Sequence, residues 1–305
     1  MQVILGAGGD IGRFLAADLK EYTNKIRLVA RNPQKVNADD ELFAADLTDR
    51  NAVTSALQGA EVAYLVAGLR YDTVVWEKQW PVILQNVIEA CLVHQCKLVF
   101  FDNVYLYAKD AIPHMTEESR VDPPSRKGKI RAQLVQMINE AVQTKGLTAL
   151  IARSADFYGP GAKNGILNIL VIENYKKGRS ANWQSDAQKV HSFTYTPDAA
   201  KATALLGNTS SAFGQVWHLP TSSEKLTGKE FIELIARKMK VKPSYFTLSS
   251  IVLSLAGLFS KRIKELKEMQ YQNNQDYYFD ASKFDRAFQF TTTAYEKGIE
   301  QILAG

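Results

Sequence analysis

The stretch VILGAGGDIGRFLAADL, residues 3–19, joins a short apolar run to a segment of helical period through a turn rich in glycine. Three glycines recur at three-residue intervals in it: Gly6, Gly9 and Gly12. Such bare backbone lets amide groups approach a pyrophosphate at the N-terminus of the following helix. We therefore predict a dinucleotide-binding loop that includes Asp10 and Ile11. The alternative is a glycine-rich turn without a ligand.

The first half of the chain alternates apolar runs with segments of helical period. The apolar runs predict strands at 1–5, 26–30, 41–45, 61–67, 97–102 and 147–153. Continuous apolar strands such as KLVFF (97–101) are typical of a parallel sheet covered on both faces. The sequence thus predicts an α/β fold, a Rossmann-type doubly wound parallel sheet with a smaller C-terminal substrate lobe.

The domain boundaries follow from this alternation. We predict that a dinucleotide-binding domain comprises residues 1–158 and 191–222, and that a substrate lobe comprises 159–190 and 223–305. The strand predicted at 215–219 and the helix before it look like one more unit of the main sheet. Further helices are expected near 164–178 and at 251–259, and capping boxes at Thr227 and Thr293 predict two more helix starts.

Composition excludes several classes of function. The net charge of +5 is mild, and basic residues cluster only at 126–131, which argues against a nucleic-acid surface. The apolar stretch 251–259 is far shorter than the roughly 20 residues of a membrane span. Since a strand begins at the first residues, we expect no leader, no membrane contact and a cytoplasmic protein. Two cysteines, expected as buried thiols, and four scattered histidines lack metal-ligand spacing, so no metal site is predicted.

The end of the second predicted strand bears on the choice of cofactor. An NAD site would place a carboxylate there on the ribose diol, but the sequence has Ala30, Arg31 and Asn32. A carboxylate would repel a 2′-phosphate by about 4 kcal/mol at close range, whereas an arginine can bind it through two hydrogen bonds. We predict NADP, assisted by Lys35, with NAD as the alternative cofactor. A solvated loop charge is the alternative for Arg31.

Two further strand ends complete the predicted cofactor site. Asp46 and Leu47 follow the third strand, where a carboxylate can reach an adenine amino group and an apolar side chain can lie beside the ring. The alternative is that Asp46 caps the next helix. Ala67 and Gly68 end the fourth strand with small residues, which leave room for a ribose.

Several segments together resemble the extended short-chain dehydrogenase/reductase superfamily, in its NAD-dependent epimerase/dehydratase branch. They are GAGGDIG (6–12), DLTD (46–49), FFDNVYLYA (100–108), ARSADFYGPGA (152–162), FTYTPDAAKA (193–202) and VWHLPTSSEKLTGKEF (216–231). The resemblance implies a nicotinamide cofactor and a small-molecule substrate, whose identity the sequence leaves open. It also implies that Tyr158 borders the substrate. A homodimer is expected only by analogy with this fold.

The resemblance breaks at the reaction centre. Members that transfer hydride have a serine or threonine after the fifth strand, and a tyrosine followed four residues later by a lysine. Here Asn103, or else Asp102, takes the serine place, while Lys127 takes the tyrosine place and Arg131 the lysine place. The tyrosine–lysine dyad is therefore absent at the aligned positions.

Three accounts of this departure remain open. In the first, Lys127 transfers a proton beside Arg131, with Asn103 donating a hydrogen bond to the substrate and Asp102 nearby. In the second, Tyr105 or Tyr107 is the acid, although packing is the more natural role for Tyr107. In the third, the protein is a non-catalytic sensor that responds to NADP(H). A solvated basic helix start is the alternative reading of residues 126–131.

Overall fold

The computed structural model describes residues 1–162, 165–248 and 261–304. Within these residues the chain divides into two compact units. Unit 1 comprises Met1–Leu106, Lys127–Ser154 and Ala199–Leu219, and unit 2 comprises Tyr107–Arg126, Ala155–Asp198 and Pro220–Gly305. The predicted division placed residues 107–126, 155–158, 191–198 and 220–222 in the dinucleotide-binding domain, whereas the structure groups them with unit 2.

Unit 1 is built on one parallel sheet. Its strands are β1 (Gln2–Leu5), β2 (Ile26–Ala30), β3 (Glu41–Ala44), β4 (Val62–Leu65), β5 (Lys97–Asn103), β6 (Ala149–Ser154) and β10 (Val216–His218). Its helices are α1 (Asp10–Asp18), α2 (Arg50–Ala56), α3 (Thr73–His94), α4 (Arg126–Lys145) and α6 (Thr196–Gly207), of which α4 and α6 begin in unit 2. The strand order is β10-β6-β5-β4-β1-β2-β3, and every pairing is parallel. This order reverses beside β1, which confirms the predicted Rossmann-type fold.

Burial explains why the apolar runs became strands of this sheet. All residues of β1, β4 and β6 are buried, since helices cover a parallel sheet on both faces. Both cysteines, Cys91 and Cys96, are buried and free, as predicted. Two helix starts have aspartate caps: Asp49 accepts from the first-turn amides of α2, and Asp72 does so for α3.

Unit 2 has two small parallel sheets and a separate apolar core. Its strands pair as β7 (Asp156–Tyr158) with β9 (Phe193–Tyr195), and β8 (Ala181–Gln184) with β11 (Tyr245–Leu248). Its helices are a π-helical segment (Leu167–Ile172) continuing into α5 (Glu173–Lys176), then α7 (Gly228–Met239), α8 (Lys261–Glu268), α9 (Ser282–Phe288) and α10 (Tyr295–Ala304). Among the described helices of the chain, none combines the length and apolarity of a membrane crossing.

The two predicted capping boxes have different outcomes. At Thr227 the box forms, because the hydroxyl accepts from Glu230 N–H and the Glu230 carboxylate accepts from Thr227 N–H. At Thr293 the prediction is wrong: the Thr293 N–H and hydroxyl both donate to the Asp198 carboxylate, 2.7 and 3.0 Å away. A charge-assisted bond to a distant aspartate replaces the local one there. The helix predicted at 251–259 lies outside the described residues.

Candidate functional site

The glycine loop joins β1 to α1 at the carboxyl edge of the sheet. Gly6 has φ +92°, a left-handed conformation, and a Cβ built there would overlap the backbone of Ala67. A Cβ on Gly12 would lie 2.6 Å from the carbonyl oxygen of Ala7. Two of the three glycines are therefore required by the fold of unit 1 itself.

Gly8 and Gly9 are not required in this way. A Cβ on Gly8 meets no heavy atom of the described chain within 4 Å, and the nearest to a Cβ on Gly9 lies 3.5 Å away, an ordinary contact. Gly9 caps α1, and its own N–H donates to Gly6 O. A side chain at Gly8 would project into open space, and one at Gly9 would make only ordinary contacts before the N-terminus of α1. The loop therefore fits a pyrophosphate, which needs bare backbone there.

The end of β2 presents a cation instead of a carboxylate. Arg31 directly follows β2, is exposed, and forms no hydrogen bond or ion pair with the residues that the structure describes. The loop that follows is held in place by the buried Asp40 carboxylate, which accepts from the N–H groups of Val36 and Asn37. Lys35 is occupied differently, because its ammonium donates to Ala38 O at 2.8 Å.

Asp46 lies in a turn after β3, and the structure assigns the helix cap to Asp49 instead. The Asp46 carboxylate accepts from both the N–H and the hydroxyl of Thr48, at 2.9 and 2.8 Å. These two bonds hold its pKa below the usual range, and the positive charge of Arg31 contributes in the same direction. Asp46 is exposed, while Leu47 beside it is buried. The exposed carboxylate is thus ionised and oriented by its own turn.

Lys127, which was predicted for the reaction centre, contacts a residue that sequence spacing did not reveal. Lys127, one residue into α4, is 0% exposed, and its Nζ lies 4.7 Å from the ring centroid of Tyr71. Tyr71 lies in the segment between β4 and α3. It precedes Lys127 by 56 positions, so no local pattern predicts this contact. Asn103 ends β5, and its side-chain oxygen accepts from Tyr105 N–H at 3.1 Å.

Asp102 and Arg131 form a buried ion pair. Arg131 Nε donates to Asp102 Oδ1 at 2.7 Å, and Arg153 Nε donates to Asp102 Oδ2 at 3.1 Å. The Asp102 side chain is fully buried, and the Arg131 guanidinium also lies over the rings of Trp80 and Phe100. The two residues predicted at the reaction centre, Asp102 and Arg131, are thus bound to each other inside the core.

The tyrosines named from sequence lie in contrasting surroundings. Tyr158 is 1% exposed and packs against Tyr195, Phe193 and Tyr295 in the core of unit 2. Burial raises the pKa of its hydroxyl far above the ordinary value, which argues against the predicted role beside substrate. Tyr107 is also fully buried, as the packing interpretation predicted, while the partly buried Tyr105 stacks on Trp76.

Comparison with known proteins identifies the family. Residues 2–217 match the sequence profile of the NAD dependent epimerase/dehydratase family. The chain belongs to this family. The resemblance that the motifs suggested is therefore confirmed, and this member of the epimerase/dehydratase family has the parallel sheet, glycine loop and strand ends described above.

Named relatives of this epimerase/dehydratase family member are distant in sequence. A UDP-N-acetyl-alpha-D-glucosaminuronate decarboxylase of Bacillus cytotoxicus is 21% identical over 243 residues, which cover 73% of this chain and 75% of the relative. The dTDP-glucose 4,6-dehydratase of Streptomyces venezuelae, solved with NAD, superposes with a TM-score of 0.81 at 14% identity, covering 100% of this chain and 96% of the other. The UDP-glucose 4-epimerase of Thermus thermophilus, also solved with NAD, gives 0.78 at 18% identity, with coverages of 100% and 98%. At such identities the superpositions establish the fold.

The glycine loop of this family member allows a test that separates folding from binding. We expect Gly9→Ala to fold like the wild type, because its Cβ makes only ordinary contacts, and to bind a nicotinamide dinucleotide at least about tenfold more weakly. Gly6→Ala should instead lose stability, because both its φ and the overlap with Ala67 oppose a side chain. Thermal unfolding and isothermal titration calorimetry distinguish the two outcomes. Unchanged affinity in a folded Gly9→Ala variant would contradict the assignment of the loop.

Proposed function

We propose that the protein is an NADP-dependent oxidoreductase or epimerase/dehydratase-like enzyme whose reaction centre lacks the tyrosine–lysine dyad at positions 127 and 131. Within the family, the observation that supports NADP is the exposed Arg31 at the end of β2. Lys127 and Asn103 are the proposed groups beside the nicotinamide, which when bound would accept or supply hydride. The substrate is a small molecule.

The cofactor assignment is supported by the charges at the strand ends of unit 1. Arg31 follows β2 at the position where a carboxylate would select the ribose diol of NAD, and a guanidinium there can bind a 2′-phosphate through two charge-assisted hydrogen bonds. Gly6, Gly9, Asp10, Ile11 and Gly12 would hold the diphosphate. The adenosine would be bound by Asp46 and Leu47, and the nicotinamide ribose by Ala67, Gly68 and Lys127.

The reaction-centre assignment is supported by burial and by bond direction. The Lys127 ammonium is shielded from solvent, so its interaction with a developing oxyanion is stronger than it would be in water. The Asn103 side-chain oxygen accepts a hydrogen bond from Tyr105 N–H. The side-chain NH2 group of Asn103 is therefore directed away from that bond and can act as a donor. Together these groups can bind and polarise a carbonyl or hydroxyl oxygen.

Arg31→Ala tests the choice of cofactor. Hydrogen bonds to charged groups contribute about 1.5–3 kcal/mol each, so losing both bonds of the guanidinium should weaken NADP binding by about 10²- to 10⁴-fold and leave NAD binding within about twofold. Lys35→Ala is the matched control in the same loop, because the Lys35 ammonium is bound to Ala38 O. Calorimetry with both dinucleotides measures the effect. Equal losses for NADP and NAD would refute a 2′-phosphate contact.

A substrate panel tests for turnover. The named relatives act on UDP- and dTDP-linked sugars, so the panel should contain both classes together with simple carbonyl compounds. Cofactor absorbance detects net oxidation or reduction, and NMR of the products detects epimerisation or dehydration. Tight NADP binding without conversion of any compound would favour the sensor hypothesis instead.

A further inference from the structure

The contact between Tyr71 and Lys127 suggests where the missing acid lies. Lys127 occupies the aligned tyrosine position, yet the ring of a tyrosine from another part of unit 1 lies against its ammonium, with Nζ 4.7 Å from the centroid. An ammonium over an aromatic face is attracted by the ring quadrupole, and the attraction grows when both groups are desolvated. Lys127 is fully buried, and Tyr71 is partly buried against the core of unit 1. A cation–π attraction between a buried ammonium and a partly buried ring therefore holds the pair together.

The backbone beside Tyr71 is fixed. The next residue, Asp72, is buried and caps α3 by accepting from the N–H groups of Val74 and Val75. The Tyr71 ring also makes an edge contact with Trp76, with the centroids 5.9 Å apart. Since its backbone and its ring are both anchored, Tyr71 presents a phenol at a defined position.

We propose that Tyr71 and Lys127 form the proton-transfer pair of this enzyme: Tyr71 is the general acid and base, and the Lys127 ammonium stabilises its phenolate. The inference rests on the proposed function and names the acid that positions 127–131 lack. An opposite charge within about 4–6 Å favours the ionised form of a titratable group. Arg70 and Asp72 beside Tyr71 form an ion pair with each other at 3.1 Å, and the Lys127 Nζ lies 4.7 Å from the ring centroid of Tyr71.

In the reduction of a carbonyl substrate, the hydride and the proton come from different donors. The carbonyl carbon receives a hydride, with its two electrons, from a reduced nicotinamide dinucleotide. At the same time the O–H bond of Tyr71 breaks, and its proton goes to the carbonyl oxygen, which becomes a hydroxyl. The phenolate that remains is paired with the Lys127 ammonium and takes a proton from water. Oxidation of an alcohol is the reverse.

Exposure distinguishes Tyr71 from the other tyrosines considered. Tyr71 is partly buried, whereas Tyr107 and Tyr158 are at most 1% exposed. Tyr105 is partly buried like Tyr71, and its ring stacks on Trp76 at 6.2 Å. Tyr105 is therefore the matched control for Tyr71, because the two rings contact the same tryptophan.

Tyr71→Phe tests the pair, since phenylalanine keeps the ring face for the ammonium and removes only the hydroxyl. We expect NADP affinity to stay within about twofold while turnover of the substrate found by the panel falls by about 10²- to 10⁴-fold, the usual effect of losing a positioned acid. Tyr105→Phe should retain turnover within about threefold. Normal turnover in Tyr71→Phe, or the larger loss in Tyr105→Phe, would overturn the proposal.

A second measurement needs neither cofactor nor substrate. Tetranitromethane nitrates tyrosine through the phenolate, and peptide mass mapping locates the modified residue. In the protein without cofactor, we expect Tyr71 to be nitrated at least about tenfold faster than Tyr105, and this advantage to disappear in Lys127→Met, because the ammonium favours the phenolate. If nitration of Tyr71 is no faster than that of Tyr105, or is unchanged in Lys127→Met, the pair is refuted, whether or not the protein binds NADP.

Discussion

Asp102→Asn is expected to lower the free energy of unfolding by about 3–5 kcal/mol, the usual cost of removing one member of a buried ion pair. The Asp102 carboxylate joins Arg131 of α4 to Arg153 of β6, and both arginine side chains are almost fully buried. A neutral amide would leave these two guanidinium groups without the charge that lies between them. Arg131→Met should cost less, because Arg153 still pairs with Asp102 in that variant.

Urea unfolding of these variants checks the expectation. The matched control is Arg50→Met, which removes an exposed arginine whose 2.8 Å pair with Glu89 is worth at most about 1 kcal/mol. The expected order of destabilisation is Asp102→Asn, then Arg131→Met, then Arg50→Met. If Asp102→Asn proves no more costly than Arg50→Met, the buried network contributes nothing to stability.

Lys127→Met is expected to reduce turnover by about 10²- to 10⁴-fold, whether Lys127 transfers the proton itself or stabilises the phenolate of Tyr71. Methionine keeps much of the length and apolar character of the side chain, so the buried position should accept it with little loss of stability. The expected change in NADP affinity is smaller, about tenfold, because one of several cofactor contacts is removed. Steady-state rates, calorimetry and thermal unfolding measure the three effects separately.

Lys129→Met is the control for that variant. Lys129 lies two residues further along α4 and is exposed, so its loss should leave both turnover and stability near the wild-type values. A folded Lys127→Met variant that retains the wild-type rate would exclude Lys127 from the reaction. Equal losses in both variants would point to a general effect of charge on α4.

The features of the fold that depend on local pattern could be predicted from sequence. The strands of the main sheet are continuous apolar runs because both faces are covered, and glycine is needed at Gly6 and Gly12 by backbone conformation and close contact. The box at Thr227 forms within four residues. In each case the signal is a continuous run or a short spacing, even where the contact that it serves, such as that of Gly6 with Ala67, is distant in sequence.

The features that the sequence did not predict depend on distant contacts. Asp102 pairs with side chains 29 and 51 positions away, and Tyr71 is separated from Lys127 by the long helix α3 and the strand β5. Thr293 does not form its expected local capping box and donates instead to Asp198, 95 positions away. No periodicity or spacing encodes such pairs, because they exist only once the distant segments of each unit have packed together.

The position of β10 has a consequence for biosynthesis. This strand, Val216–His218, completes the edge of the main sheet beside β6, although more than 60 residues, most of them in unit 2, separate the two along the chain. While the nascent polypeptide leaves the ribosome, β6 therefore exposes unpaired amide and carbonyl groups until residue 218 has emerged. Translation arrested within this interval should release an aggregation-prone fragment that depends on chaperones.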